Sequence, residues 1–388
     1  MSHLKIIGPD DPALNALALR IGEYNRNRKE HIELEIISWP QYKNRLDAAL
    51  EGHDHVDACF MPGHVWLGAY AGTRKLLSIE DVYEQSPLHM KPKLQKALFS
   101  YEVGDIVPQI ANECRFEGKQ YLLPLFTDGH LFFCEATFYE QYQSMLLDPE
   151  GRVRPSNLIE VARHMSLNPV LHGSRHQPHR YPLALKSHPS ELLLDFLPYF
   201  WDMGGEFVAE DALDSQSFKT MVERSCDLYR TLMEFAPPET KSFGNAEIAD
   251  ALASGKVVMA ISWGGQAAPI VQSGRAKGIE FSIAPLATSW NATWGIGINA
   301  AIGRERSAKV LCNLLELMDR HLDELVADHA GSPVRQTTYE NAAINSKCSW
   351  LKAQFAMLQL ARHLPSDPSL GASVMKIAEA ISQTVHGK

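Results

Sequence analysis

Tryptophans are the residues best suited to ligand contact in this chain of 388 residues, which contains seven of them. Four fall at or near the ends of predicted strands, often close to glycine: Trp39, Trp66, Trp263 and Trp294. A flat indole at the lip of a cleft stacks on the apolar C–H face of a sugar ring, while nearby carboxylates and amides bind its hydroxyls. A core position is the commoner role for any single tryptophan, but four at strand ends favour a binding site.

The 16 histidines raise the question of a metal site. His172, His176 and His179 have a spacing that could gather imidazoles around a metal ion. Glycine, proline and two arginines in the same segment favour a solvated polar loop instead. The segment His53 to Asp57 is more typical of a turn. We therefore expect no metal and no cofactor, and the common nucleotide-binding, zinc-peptidase and serine-hydrolase signatures are absent from the sequence.

Composition narrows the classes of partner. Hydrophobic residues make up 45% of the chain, enough for a full core, and the formal net charge is -9. A negative charge argues against binding nucleic acid or an anionic lipid surface. The longest apolar stretch, Leu192 to Trp201, is interrupted by Asp195 and Pro198 and is shorter than the ~18 residues that a membrane span needs.

The six cysteines and the first residues bear on the compartment. No CxxC pair occurs, so zinc-ribbon and thioredoxin-type chemistry are unsupported. Cys59 and Cys134 lie in apolar strand-like runs and are predicted to be buried free thiols. The opening MSHLKIIG has no signal-peptide character. Either the protein stays in the cytoplasm, or an export signal was removed and the initial methionine added.

Elements that position the tryptophans follow from the hydrophobic pattern. The first seventy residues predict β-α-β-α-β, the pattern of a parallel sheet with crossover helices. Ligands of such sheets lie beyond the carboxyl ends of the strands, which here carry Gly8, Trp39 and the segment Gly63 to Trp66. Further strands are predicted at 121–134, 257–263, 281–286 and 294–302. One long helix is predicted for 307–325, and helices fill most of the remaining C-terminal part.

Six segments, in the same order along the chain, resemble motifs of the family 1 extracellular solute-binding proteins, the sugar-binding components of bacterial ABC importers. LLDFLPYFWDMGGEFV, at 193–208, is the closest match. The other five are DACFMPGHVWLGAYAGTRKLLSIED, YLLPLFTDGHLFFCEATFYEQ, ALASGKVVMAISWGGQ, APLATSWNATWGIGINAAI and GSPVRQTTYEN. Each motif alone is moderately specific, whereas all six in the family's order make a strong resemblance.

The resemblance implies an α/β protein with a two-lobed, periplasmic-binding-protein-like fold of type II. Lobe one is expected at 1–128 plus 290–335, and lobe two at 129–289 plus 336–388. The ligand cleft would lie between the lobes, with crossing strands as the hinge. A ligand that binds the closed form better shifts the population toward closure. The implied role is delivery of a sugar or sugar derivative to a membrane ABC permease, without catalysis and as a monomer, in the periplasm or outside the cell.

Residue by residue, the resemblance assigns ligand contacts on both lobes. Trp39, His64, Trp66, Thr127 and Asp128 would line lobe one or the hinge, with Asp128 accepting two vicinal hydroxyls. Lobe two would supply the stacking ring of Trp263 and the backbone N–H groups of Gly264 and Gly265. Trp294 would lie at the second crossover, and Arg335 near the end of lobe one.

Departures from the family pattern leave the ligand open. Gly63, His64 and Val65 stand where many relatives place an aspartate before the tryptophan, and His64 with Arg335 would suit an acidic sugar. The same fold could bind a non-sugar solute such as a polyamine or an organic acid. A metal-dependent enzyme using the loop histidines and a cytoplasmic sensor remain as further alternatives.

Overall fold

The computed structural model describes residues 3–26, 28, 30–63, 65–172, 179–189, 191–364 and 370–387. The chain forms two compact units: unit 1 is Met1–Asp128 with Asn291–Leu351, and unit 2 is Gly129–Trp290 with Lys352–Lys388. The chain therefore passes from one unit to the other three times, and each unit is built from separate stretches of sequence.

Unit 1 contains a mixed sheet covered by helices, with elements numbered along the chain. Its strands are β1 (His3–Pro9), β2 (His31–Ile37), β3 (Ala58–Pro62), β4 (Leu76–Leu77), β5 (Arg115–Phe116), β6 (Lys119–Gln120), the first part of β7 (Leu122–Glu135), and β11 (Asn291–Asn299). Its helices are α1 (Pro12–Asn25), α2 (Trp39–Leu50), α3 (Leu67–Gly72), α4 (Ile79–Gln85), α5 (Lys91–Tyr101), α6 (Pro108–Glu113), α13 (Arg304–Leu317), α14 (Arg320–His329), α15 (Gln336–Glu340) and α16 (Ala342–Lys347).

The first five elements confirm the predicted β-α-β-α-β order. β1 pairs in parallel with both β2 and β3, so the strand order is β2-β1-β3. The side chain of Asp11 caps α1 by accepting the N–H of Ala13, and Pro12 occupies the first turn, where a missing N–H costs nothing. β11 then pairs antiparallel with β3 and brings residues from late in the sequence next to the first βαβ units.

Three expectations for unit 1 need correction. The helix predicted for 307–325 is two helices, α13 and α14, because Asp319 caps the second one through the N–H of Leu322. The strand predicted at 294–302 runs instead from Asn291 to Asn299. Residues 336–351, assigned to the second lobe, lie in unit 1, where α15 and α16 pack against α14.

Unit 2 has a smaller sheet. It contains the second part of β7, then β8 (Tyr181–Ala184), β9 (Val257–Trp263) and β10 (Phe281–Pro285). β8 runs parallel to β9, whereas β9 and β10 both pair antiparallel with β7. Its helices are α7 (Ala136–Leu146), α8 (Leu158–Ser166), α9 (Leu192–Asp202), α10 (Gln216–Met233), α11 (Asn245–Ala253), α12 (Ala267–Ala276), α17 (Leu351–Leu360, of which Leu351 is in unit 1) and α18 (Gly371–His386).

All six cysteines are buried free thiols, which confirms the prediction for Cys59 and Cys134. Burial raises the pKa of the Cys348 thiol to about 11, so this side chain stays protonated at neutral pH. In the part of the chain that the structure describes, no helix is both long enough and apolar enough to cross a bilayer.

Candidate functional site

Three of the four tryptophans singled out in the sequence come together in unit 1. The ring centroids of Trp39 and Trp294 are 5.3 Å apart, and those of Trp66 and Trp294 are 6.4 Å apart, both in edge-on arrangements. Phe60 and Phe126 stack nearly parallel to Trp294, at 5.5 and 6.0 Å. We call these five residues the aromatic cluster. Edge-on and offset-stacked rings attract one another through their quadrupoles, so the cluster stabilises its own geometry.

The sheet of unit 1 places the aromatic cluster at the carboxyl ends of its parallel strands. Trp39 is the first residue of α2, directly after β2, and Trp294 pairs with Pro62 at the end of β3. Trp66 precedes α3. Trp39 is 42% exposed, and Trp66 and Trp294 are half-buried. Indole surface is therefore accessible at the edge where parallel sheets commonly bind ligands.

A close approach of two backbone segments holds the turn beside this cluster. The N–H of Gly63 donates to the Thr293 carbonyl at 2.8 Å. A Cβ on Gly63 would lie only 2.2 Å from the Glu113 carbonyl oxygen, so no other residue fits without a backbone shift. The Glu113 carboxylate in turn accepts from the Thr293 N–H at 2.7 Å and from the Asn291 side chain at 2.9 Å.

Thr127 belongs to the same polar network and is fully buried. Its hydroxyl donates to the side-chain oxygen of Asn291 and lies 3.4 Å from the hydroxyl of Thr293. Asp128 follows in β7, is half-buried, and lies near Tyr339. Burial chiefly, with the charges of Asp323 and Asp128, raises the pKa of Tyr339 well above its usual value.

The fourth tryptophan, Trp263, lies in unit 2 and is only 8% exposed. Its ring centroid is 4.0 Å from that of His130 and 5.1 Å from that of Trp290. The ammonium group of Lys186 lies 5.0 Å from its centroid, within cation–π range. Trp263 therefore ends β9 as part of a packed group and does not present an open stacking face.

Beneath Trp263 lies a group of charged side chains that no sequence motif indicated. Nε2 of His130 is 2.7 Å from Oδ1 of Asp195, and Nζ of Lys186 is 2.8 Å from the same oxygen. Nζ of Lys186 also donates to the Asn245 side chain at 2.7 Å. We call His130, Lys186, Asp195 and Asn245 the charged cluster. Its first three members are at most 4% exposed.

Protonation in the charged cluster follows from burial and pairing. Burial lowers the pKa of His130 and outweighs the attraction of Asp195, so the ring is neutral at pH 7. Burial alone would raise the pKa of Asp195, but Lys186 and His130 together hold it below its usual value. Since a carboxylate only accepts, the His130 proton is assigned to Nε2, which leaves Nδ1 as an acceptor.

Several buried polar atoms around this cluster have no hydrogen-bond partner among the described residues. They are the acceptors His130 Nδ1, Asp195 Oδ2 and Glu191 Oε2. Buried polar atoms are normally paired, because an unpaired one costs about 1–3 kcal/mol. Three acceptors in one region suit a ligand that offers several hydrogen-bond donors.

Solved structures similar to this chain share its fold over its whole length. A solute-binding protein from Agrobacterium radiobacter K84, in complex with ribitol, has a TM-score of 0.78 and 18% sequence identity, and the match covers 100% of this chain and 94% of that one. UgpB from Mycobacterium tuberculosis, in complex with glycerophosphocholine, has a TM-score of 0.76, 18% identity and the same coverage. Maltose-bound MalE3 of T. maritima has a TM-score of 0.74 and 15% identity, and the match covers 100% and 99% of the two chains.

This chain has the fold of ABC transporter solute-binding proteins. The fold class predicted from the resemblance is thereby confirmed. No protein-family model and no curated protein matches the sequence.

Within this solute-binding-protein fold, the remaining predicted contacts have distinct environments. Arg335 is buried, donates to the Met318 carbonyl at 3.0 Å and lies over the ring of Tyr101. These contacts hold the guanidinium inside unit 1, and a contact between Arg335 and an acidic sugar stays a prediction. Gly264 and Gly265 are buried in a single 3₁₀ turn before α12. His64 lies outside the described residues.

The histidine loop gives no metal site among the residues that are described. His172 and His179 have ring centroids 6.3 Å apart, and His176 lies outside the described residues. No group of three or more potential ligands is found in the described ranges. His53 and His55 are exposed, in the turn that was predicted for them.

The charged cluster could have been found from one sequence signal. Asp195 interrupts the most apolar helix of the chain, LLLDFLPYFWD. A helix this apolar packs in the core, so its carboxylate is buried too, and a buried carboxylate requires a cation or a hydrogen-bond donor as its partner. Its partners, His130 and Lys186, are 65 and nine positions away along the chain. The sequence therefore predicts that a partner is needed but not which residue provides it.

Proposed function

We propose that this protein is the substrate-binding component of an ABC importer that captures a sugar or sugar derivative and delivers it to a membrane permease. The observation that carries the proposal is the aromatic cluster at the carboxyl ends of the parallel strands of unit 1. The Trp39 indole is 42% exposed, and those of Trp66 and Trp294 are half-buried. At such a site they offer flat apolar faces to a pyranose or polyol.

A second observation supports a hydroxylated ligand. The unpartnered atoms near the charged cluster are acceptors, and Lys186, its cation, is already paired with Asp195 and Asn245. A neutral polyol offers many O–H donors and brings no charge to a buried region. An organic acid would instead place its carboxylate against Asp195 and Glu191, which costs energy when like charges are desolvated.

Structures with the same fold have been solved with small hydroxylated molecules bound, among them ribitol, D-mannitol and α-D-tagatose. These ligands belong to those proteins, and they define the starting panel for this one. The same comparison supports a role in binding rather than in catalysis. We further propose that the protein acts as a monomer in the periplasm or outside the cell. The Asp128 carboxylate would accept hydrogen bonds from the hydroxyls of the ligand.

The test is calorimetric titration of the full chain with pentitols, hexitols, ketohexoses, maltose, uronic acids and a polyamine. We expect a neutral sugar or polyol to bind, and to stabilise the fold by about 2.7 kcal/mol at a hundred times its dissociation constant. Binding of the polyamine alone, or of a uronic acid alone, would contradict the proposal. No binding by any member of the panel would also count against it.

A matched pair of variants locates the contact. Trp39→Ala removes the most exposed indole of the aromatic cluster and should weaken carbohydrate binding about tenfold or more, the loss typical of an important aromatic contact. Phe99→Ala removes an aromatic side chain of the same unit that is 86% exposed and lies outside the cluster. It should leave the affinity unchanged. Equal affinities for the two variants would place the ligand elsewhere.

A further inference from the structure

Glu113 lies at the point in unit 1 where β3 leaves the sheet. It is the last residue of α6 and is half-buried. Opposed residues of an antiparallel hydrogen-bonded pair exchange both of their backbone hydrogen bonds. Gly63 follows the Pro62–Trp294 pair, and its N–H donates to the Thr293 carbonyl at 2.8 Å. The return bond goes elsewhere, because the Thr293 N–H donates to the Glu113 carboxylate at 2.7 Å. The Glu113 side chain therefore takes the place of a strand carbonyl.

This change of partner occurs directly before the turn that contains Trp66. Since Thr293 bonds to a side chain, the chain after Gly63 can turn out of the sheet, and the N–H of Trp66 donates back to the Pro62 carbonyl at 3.4 Å. The backbone carbonyl of Glu113 packs against Gly63, where a Cβ would lie 2.2 Å from its oxygen. Glu113 thus contacts both the last pairing of β3 and the start of the turn to Trp66.

The same carboxylate fixes the backbone of β11 beside Trp294. Thr293 has its N–H held by Glu113 and its carbonyl held by Gly63, so the peptide groups on both sides of Thr293 are fixed. The next residue is Trp294, whose indole contacts the other four rings of the aromatic cluster. The placement of this central indole therefore depends on the backbone that Glu113 holds.

A second hydrogen bond connects Glu113 to β7. The Asn291 amide donates to the Glu113 carboxylate at 2.9 Å and to the Thr293 hydroxyl at 3.0 Å. The side-chain oxygen of Asn291 accepts the hydroxyl of Thr127, the residue before Asp128. The amide of Asn291 and the N–H of Thr293 reach the same carboxylate atom, Oε2. One oxygen therefore links the backbone beside Trp294 to the strand that carries Asp128.

We propose that Glu113 is a positioning residue of the carbohydrate site, which sets the placement of Trp66 and Trp294 through their backbone. This role rests on the proposed function, because it treats the aromatic cluster as a ligand site. A carboxylate accepts stronger hydrogen bonds than a neutral carbonyl does, which suits it to hold a strand end that has lost its ladder partner. The requirement is an acceptor at the position of Oε2, and the amide oxygen of glutamine can also supply one.

The experiment compares Glu113→Ala with Glu113→Gln in the full chain, first without ligand. Near-ultraviolet circular dichroism reports the fixed packing of aromatic side chains. We expect Glu113→Ala to change the indole signal and Glu113→Gln to retain the wild-type spectrum. The matched control is Glu80→Ala, because the Glu80 carboxylate also accepts a backbone N–H in unit 1, that of Gln120 at 3.1 Å, but holds β6. The spectrum of Glu80→Ala should match that of the wild type.

Calorimetric titration of the same proteins with ribitol, D-mannitol and maltose gives the second readout. Glu113→Ala should weaken binding about tenfold and Glu113→Gln by less than about threefold, the range of one or two lost hydrogen bonds. Glu80→Ala should bind as the wild type does. If the wild type binds none of the three, the carbohydrate function fails at this site, and the spectra alone decide whether Glu113 positions the two indoles.

The outcomes that overturn the proposal are specific to the carboxylate. They are a wild-type spectrum or wild-type affinity for Glu113→Ala, or changes in Glu80→Ala or Glu113→Gln as large as those in Glu113→Ala. If Glu113→Ala fails to fold, Glu113→Asp takes its place, since it keeps the carboxylate but shortens the side chain by one carbon. It should show the same change in spectrum and loss of affinity, and wild-type behaviour would overturn the proposal.

Discussion

The aromatic cluster of unit 1 and the charged cluster of unit 2 occupy the same topological position but are stabilised by different physics. Each lies at the carboxyl ends of parallel strands, β1 and β3 in unit 1 and β8 and β9 in unit 2. The first is a set of stacked rings whose edges reach solvent. The second is an ion pair and a neutral imidazole with almost no exposure. Stacked rings tolerate the loss of one member, whereas buried charges depend on every partner.

The largest effect is expected from removing the shared carboxylate of the charged cluster. Asp195→Ala leaves the ammonium of Lys186 buried without its ion-pair partner, which typically costs about 3–5 kcal/mol. Urea unfolding at pH 7 measures the loss. The matched control is the double variant Lys186→Met with Asp195→Leu, which removes both charges and should recover most of the stability. If the single and double variants were equally destabilised, pairing would not be the reason for the loss.

A backbone change in unit 1 is expected to be next in size. Gly63→Ala places a methyl group against the Glu113 carbonyl and should cost about 1–3 kcal/mol, as overpacking does. It should also weaken carbohydrate binding, since the turn that Gly63 begins leads to Trp66. Gly104→Ala, at a position where a Cβ meets nothing within 4 Å, is the control for the same substitution. Identical unfolding midpoints for the two variants would contradict the close approach.

The two clusters should differ in their response to pH. The pKa of His130 is lower in the folded protein than the usual 6.5, so the unfolded chain binds the proton more readily. The free energy of unfolding should therefore decrease as pH falls through 6.5. Relative to His130→Gln, the wild type should lose up to about 1 kcal/mol between pH 6.5 and 5.5. Asp195, which faces His130, titrates below its usual 3.8 and so lies outside this window.

Glu191 also faces the charged cluster, and burial raises its pKa, but it is present in both proteins. Chemical unfolding of the two proteins at several pH values gives the comparison. Parallel curves for wild type and His130→Gln would show that the ring does not remain neutral on folding. The aromatic cluster contains no titratable group, so Trp39→Ala should follow the wild-type pH dependence.

The smallest effect is expected at the edge of the aromatic cluster. The ammonium of Lys43 lies 5.6 Å from the ring centroid of Trp66 and 2.7 Å from the Asp47 carboxylate. Lys43 and Asp47 are both substantially exposed. Lys43→Met should therefore lower the free energy of unfolding by less than about 1 kcal/mol. Thermal unfolding at low and high salt tests this, because the small difference should shrink as salt screens the pair. A loss of several kcal/mol would show that this pair is structural.

The two clusters also differ in how far the sequence predicts them. Local signals suffice for the aromatic cluster: Trp39 follows a clear strand, and Trp66 follows Pro62 and Gly63 at the end of another. The parallel order of those strands then brings their ends together. Trp294 joins them through a pairing between β11 and β3 that was not predicted, since the family resemblance only assigned residues 290–335 to lobe one.

The charged cluster depends on contacts between distant residues that no local pattern encodes. His130 lies in an extended strand that reads as wholly apolar apart from a short break, and Lys186 follows β8 in a loop. The helices at 79–113 were not predicted, although Ser78 caps α4 and a proline stands in the first turn of α5 and of α6. The break between α13 and α14 depends on one capping aspartate, whose role periodicity alone does not reveal.

The three passages of the chain between its units have a consequence for biosynthesis. β3 is complete at Pro62, but its antiparallel partner β11 begins about 230 residues later. At roughly 5–20 residues per second, a nascent chain would expose that strand edge for some ten to fifty seconds before the partner left the ribosome. All the strands of unit 2 precede β11, so its sheet can form first. An unpaired edge invites association with other chains, so the yield of native protein should depend on translation speed and on chaperones that shield this edge.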